Sequence, residues 1–292
     1  MSAASAAEAA GGREAVLWFR MRAHILLNGS NPRRHGRGDR RWRCGCCALS
    51  AAALVSVCLG AARTESWRDI ESRIQYGYYT EDAPALRSLA DTVAADESHD
   101  KLHGYYAGLL AWRLAQLAAH SPSAAQGAST AQLAQRCVSA ADAALAVQGD
   151  FAEALALRAA CLAIPLDANG SQTAHAAHRA ARDIGMALQL AGRNPRVLLL
   201  DAMSDYQLAP RLGGNKERAL VKLRQAVAAF EVERAGTEHL PGWGAAEAYL
   251  LLARDLLDHG EPVAARDALE HALLLAPEFT QARRLMAQIT SG

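Results

Sequence analysis

Aromatic residues make up only 5% of this 292-residue chain, and runs of β-branched residues are almost absent. Strands draw on those residue types, so the composition argues against a sheet-based fold. No CxxC occurs after Arg63, which removes both a zinc ribbon and a redox dithiol from the body of the chain. Also missing are a G-x-S-x-G elbow, a P-loop, a G-x-G-x-x-G turn, an H-E-x-x-H helix and an EF-hand loop. Gly242-Trp243-Gly244 is too short to cradle a phosphate and marks a helix start after Pro241. A basic stripe is lacking too. The net charge is +1, but nine Arg against three acidic residues precede Arg63, which places +6 there and leaves −5 for the remainder. A mildly acidic body without clustered Lys and Arg argues against nucleic acid as a partner.

What the chain does have is alanine, with 51% hydrophobic and 21% charged residues overall. That is enough apolar material for a substantial core, and alanine favours closely packed helices. Four of the six Cys (Cys44, Cys46, Cys47, Cys58) fall in the first sixty residues, leaving Cys137 and Cys161 for the body. Those two read either as small buried core residues or as one disulfide on consecutive helices.

Residues 33–43 are basic and residues 46–62 are uncharged and mostly apolar, with Gly60 and Ala62 at the small positions of a cleavage site. This order predicts a secretory signal, cut after Ala62, and a periplasmic mature chain starting at Arg63. The alternative is an uncleaved anchor in the inner membrane through residues 46–62, at the short limit for a span. Val57 stands where a lipoprotein signal needs a small residue, so Cys58 is not a lipid site. Trp42-Arg43-Cys44 departs from the apolar follow-up of a twin-arginine signal. Residues 1–62 are thus set aside as a basic leader, and 63–292 as the folded domain.

Within that domain, Ala246–Phe279 is the most regular stretch. Small residues (Ala253, Ala265, Ala272) stand where two helices must touch, and Tyr249, Leu252, Leu256 and Leu269 fill between them. Gly260 breaks the run and Pro277 ends it. The segment resembles the tetratricopeptide repeat, a helix–turn–helix unit of about 34 residues. Residues 137–151 repeat its end, with Gly104–Ala119 as the leading helix and a Ser/Ala-rich interruption at 120–129. A further unit opens at Glu153, Leu155, Ala159 and Leu162 and closes at Ile184, Ala187 and Gly192, after a polar loop at Pro165–Ser171. Asn194-Pro195 starts a helix to about Leu208, residues 215–230 give its partner, and a loop at 234–241 precedes the regular unit. Thr64–Tyr76 and Asp82–Ala95 form an initial pair, and Phe279–Ile289 a solvated last helix. The expected fold is all-α: a TPR-like helical-hairpin solenoid of about five pairs plus a C-terminal capping helix.

The resemblance implies that the first helix of each pair lines a concave groove. The groove residues it implies are Glu153 and Ala156; Arg196, Leu199, Met203 and Tyr206; and Glu247, Leu250, Arg254 and Asp258. Such an amphipathic surface suits an extended peptide or a helix. Asp201 and Asp205 fall where the family packs apolar groups. Each needs a cation, a donor or water: a local network with Arg211 or an inserted loop, or a bound partner or cationic ligand. The APRLGG loop at 209–214, followed by a KERAL helix, is similar to the helical-repeat periplasmic proteins that accompany TRAP-type transporters. His175 and His178, spaced i, i+3, read as surface histidines. The cluster Trp67, Tyr76, Tyr78, Tyr79, Tyr105, Tyr106 and Trp112 reads as core with some interface potential. The resulting expectation is an exported, non-enzymatic scaffold or assembly factor for a protein or peptide, with no cofactor or metal. The alternative is an accessory component of a TRAP-type system with a ligand pocket or channel.

Overall fold

The computed structural model describes residues 66–96, 98, 100–120, 128–164, 170–234 and 239–291. They belong to one compact unit, Arg63–Gly292. The expected signal, cleavage site and anchor lie outside them, as do most of the polar loop at Pro165–Ser171 and of the 120–129 interruption.

Every regular element among the described residues is helical, and no strand occurs. Eleven α-helices follow one another: α1 (Trp67–Tyr79), α2 (Ala83–Ala94), α3 (Lys101–His120), α4 (Thr130–Val147), α5 (Ala152–Leu162), α6 (Gly170–Ala191), α7 (Pro195–Gln207), α8 (Lys216–Arg234), α9 (Ala245–Asp258), α10 (Pro262–Leu275) and α11 (Thr280–Ser291). Local chemistry sets their ends. Ser66 accepts from the Asp69 amide and so starts α1 three residues later than the sequence pattern suggested. Ser129 and Gln132 form a reciprocal capping box on α4. Asn194 caps α7 with Pro195 in its first turn, where a missing N–H costs nothing. Gly260, at φ +76°, supplies the left-handed turn between α9 and α10.

Successive helices pack in pairs: α1 with α2, α3 with α4, α5 with α6, α7 with α8 and α9 with α10. The first members also touch serially, α1 on α3, α3 on α5, α5 on α7 and α7 on α9. Small side chains let the rods approach. Ala253, Ala265 and Ala272 are fully buried at the α9–α10 contact. Gly104 lies so close to α4 that a Cβ there would stand 2.7 Å from the Ala144 nitrogen. Cys137 of α4 and Cys161 of α5 are joined in a disulfide, with Cα atoms 6.0 Å apart.

The first and last described helices meet. Phe279, just before α11, packs its ring 4.5 Å from that of Tyr79 and 6.1 Å from that of Tyr78, both on α1. Arg284 of α11 pairs with Glu81 beyond the end of α1. The segment before α9 reaches the same region: the Gly242 amide donates to Glu71, and the Trp243 ring packs tilted against that of Trp112, with centres 5.7 Å apart. The last helix is therefore more than a solvated cap, because its first turn helps to close the array upon its beginning.

Candidate functional site

The closure places a polar and aromatic cluster in the interior. Glu71 accepts from the Tyr106 hydroxyl at 2.7 Å and from the Gly242 amide at 2.9 Å. Glu247 accepts from the Tyr79 hydroxyl at 2.8 Å and pairs with Arg113, the two side chains being 5% and 1% exposed. The Arg113 guanidinium lies 4.0 Å from the Tyr78 ring centre and 4.7 Å from those of Trp112 and Trp243. Trp243 donates to the Tyr105 hydroxyl at 2.8 Å. Burial pushes the Glu71 carboxyl above its ordinary value, against the lowering donors Tyr106 and Gly242. Burial likewise raises Tyr105 and Tyr106, so both phenols stay protonated and serve as hydrogen-bonding groups. These groups bond to one another across the closure and so hold the two ends of the array together, with only the Arg113 Nε among them left without a hydrogen-bond partner among the described residues.

Seven of the expected groove residues are engaged within the chain. Ala156, Leu199, Met203 and Leu250 are buried and pack in the hydrophobic core. Arg196, only 1% exposed, makes two 2.7 Å bonds to Glu233. Glu153 accepts from Asn194 at 2.7 Å, and Glu247 belongs to the interior cluster. These seven were expected to face a partner across an open concavity. Arg196 and Glu153 are engaged by neighbouring segments of the array, and only Glu247 is engaged across the closure.

Three expected residues do come together at an accessible edge: Tyr206 near the end of α7, and Arg254 and Asp258 of α9. The Tyr206 hydroxyl donates to Asp258 at 3.0 Å. Lys216, in the first turn of α8, reaches the same carboxylate at 2.6 Å and lies 5.1 Å from the Tyr206 ring centre. Arg254 donates to Gln281 at 2.9 Å. Lys216 pulls the Asp258 carboxyl below its ordinary range, with Tyr206 assisting. Burial and the Asp258 carboxylate push the Tyr206 phenol up to about 12.

Asp255, one turn before Asp258, has a fully buried side chain, and neither carboxylate oxygen has a hydrogen-bond partner among the described residues. Burial raises its pKa, opposed by His259, whose Nδ1 is 3.5 Å away. Lys216 and Asp255 were missed by sequence reasoning. The signals were a lysine in the first turn of a helix, where the dipole disfavours a cation, and an aspartate inside an otherwise leucine-rich helix.

Asp201 and Asp205 are buried and satisfied by the adjacent helix. Lys222 reaches Asp201 at 2.7 Å and Asp205 at 2.7 Å, and Arg218 chelates Asp205. Burial raises the Asp205 carboxyl, but Arg218 and Lys222 outweigh it and hold it below the ordinary range. The cations come from α8 and not from Arg211. The inserted loop does take part, since Arg218 also donates to the Gly213 carbonyl at 2.6 Å and the Asn215 amide to that of Asp205 at 2.8 Å. His175 and His178 are exposed on α6. No group of three His, Cys, Asp or Glu side chains converges as metal ligands among the described residues.

No family model and no curated protein matches this chain. Among solved structures, the HusA haemophore from Porphyromonas gingivalis is similar in fold, with a TM-score of 0.50 and 21% sequence identity. The match covers 68% of this chain and 96% of that one. At that identity the likeness is one of fold: an all-helical architecture, reached independently from the order of the helices.

Proposed function

We propose that this chain is an exported, non-enzymatic binding protein, a TPR-like scaffold for a protein or peptide. The observation that carries the reading is the edge formed by Tyr206, Lys216, Arg254 and Asp258. It offers an aromatic ring and both signs of charge to solvent, whereas most of the other expected groove residues are spent inside the molecule. Tyr and Arg are the residue types that dominate binding interfaces. The Cys137–Cys161 disulfide supports export, because such bonds persist in oxidising compartments. No helix among the described residues is long and apolar enough to cross a membrane, and attachment, if any, falls to residues 46–62. Co-purification from periplasm tests the reading: Tyr206→Ala and Arg254→Ala each remove one specific partner. Recovery of the same partners by both variants would move the site elsewhere.

A second reading is an accessory ligand carrier, such as a TRAP-type transport component. The closed array with its internal aromatic cluster favours it, as does the likeness to a protein named as a haemophore. Titration of the purified protein with haem, followed in the Soret band, separates the two. A saturable shift with a one-to-one endpoint supports the carrier, and an unchanged spectrum supports the scaffold.

A further inference from the structure

We infer that the edge built by Tyr206, Asp255 and Asp258 is a receptor for a primary alkylammonium group, occupied here by the chain's own Lys216; this rests on the reading of that edge as the binding site. Lys216 already shows how a cation fits. Its ammonium sits on the Asp258 carboxylate at 2.6 Å and 5.1 Å from the centre of the Tyr206 ring. The lysine is a poor permanent occupant. It stands in the first turn of α8, where the helix dipole opposes a positive charge, and its side chain is 52% exposed. With Lys216 turned to solvent, Asp255 and Asp258 keep the His259 ring beside them and Asp255 keeps the Glu217 carboxylate near it, while Arg254 on the same helix donates to Gln281. The site then carries excess negative charge beside an aromatic face.

Asp255 is the second and independent sign. Its buried carboxylate makes no hydrogen bond and has only the His259 ring, 3.5 Å away, as a neighbouring cationic group, and it lies three residues before Asp258 on the same face of α9. Exchanging one ammonium for another costs little, because the incoming group keeps both the ion pair and the ring contact that Lys216 gives up. A lysine of a bound protein and a free polyamine both carry this chemistry.

The test is a titration of the purified full chain with a capped lysine amide and, separately, with spermidine, read by tyrosine chemical shifts and calorimetry. An exposed ion pair worth roughly 1 kcal/mol keeps Lys216 in place most of the time, so Lys216→Gln should tighten probe binding about fivefold. Asp258→Asn in that background should abolish it, and raised salt should weaken it. The tighter probe identifies the source, a partner's lysine or a polyamine. Unchanged binding on Lys216→Gln, or indifference to Asp258→Asn in a variant with a native melt, would overturn the proposal. If the titration fails while Tyr206→Ala still loses a partner in co-purification, the ammonium site falls and the scaffold reading stands.

Discussion

Replacing Gly104 by alanine tests the packing logic with opposing effects of known size. In an exposed helix the change stabilises by roughly 1 kcal/mol, since glycine is a poor helix former. At Gly104 the new Cβ would stand 2.7 Å from the Ala144 nitrogen, 2.8 Å from the Ala140 oxygen and 3.1 Å from the Ala144 Cα. All three are backbone atoms, so no side chain can turn aside. Helices α3 and α4 must separate, and overpacking of this kind costs about 1–3 kcal/mol and at times more. With three backbone atoms in the way the cost falls at the upper end of that range, so the net expectation is destabilisation of about 2 kcal/mol, or a fall of roughly 4–8 °C in Tm for a domain of this size.

Two internal controls fix the sign. Gly185 on α6 has nothing within 4 Å of its hypothetical Cβ, so Gly185→Ala should raise Tm by about 2–4 °C. Gly108 meets only ordinary contacts, the nearest Leu157 Cδ2 at 3.4 Å, and its alanine variant should fall between the two. Circular-dichroism melts of the three variants read the order directly. A Gly104→Ala melt at or above that of the native chain would refute the close approach of α3 and α4.

Other perturbations give further expectations. Asp255→Asn should stabilise the protein by about 1 kcal/mol at neutral pH, because an unsatisfied buried charge is removed. The folded-state pKa of Asp255 lies above its unfolded value of 3.8, so its contribution is fully present below that pH and is lost as pH rises through the folded value. Urea unfolding from pH 3 upward should show that decline in the native chain and its reduction in the variant; identical profiles would count against the burial of Asp255. Replacing Cys137 and Cys161 by serine opens a loop closed by residues 24 apart in sequence, which in the chain-entropy model costs about 3.5 kcal/mol. A loss under 1 kcal/mol would place the bond outside that model. Ala253→Leu or Ala272→Leu should cost roughly 1–3 kcal/mol by overpacking the α9–α10 contact, and an unchanged melt would mean a different helix register.

The helices were readable because their causes are local. Leu252, Leu256 and Leu269 recur at helical spacing, Ala253 and Ala272 mark the contact face, and Asn194-Pro195 and Gly260 punctuate it. The pairing of Asp201 and Asp205 was half readable. Their need for cations followed from burial, and Arg218 and Lys222, one helical turn apart on α8, present a matching spacing that Arg211 obscured. The closure had no such trace. Glu247 finds Arg113 across 134 residues and Tyr79 across 168, and no periodicity encodes contacts of that range. Leu199, Leu250 and Arg196, expected on a surface, are buried, whereas Tyr206, Arg254 and Asp258 are more accessible and lie towards the C-terminal ends of α7 and α9.

The meeting of the two ends is the claim on which the interior cluster and the displaced binding edge depend. A chain carrying Glu81→Cys and Arg284→Cys, treated with a short dithiol-specific cross-linker and mapped by peptide mass spectrometry, tests it directly. Rapid intramolecular linkage of the two introduced thiols, lost when the protein is unfolded in urea, is the expected result. Failure to link them in the folded monomer would mean an open array, with its inner face free for a partner after all.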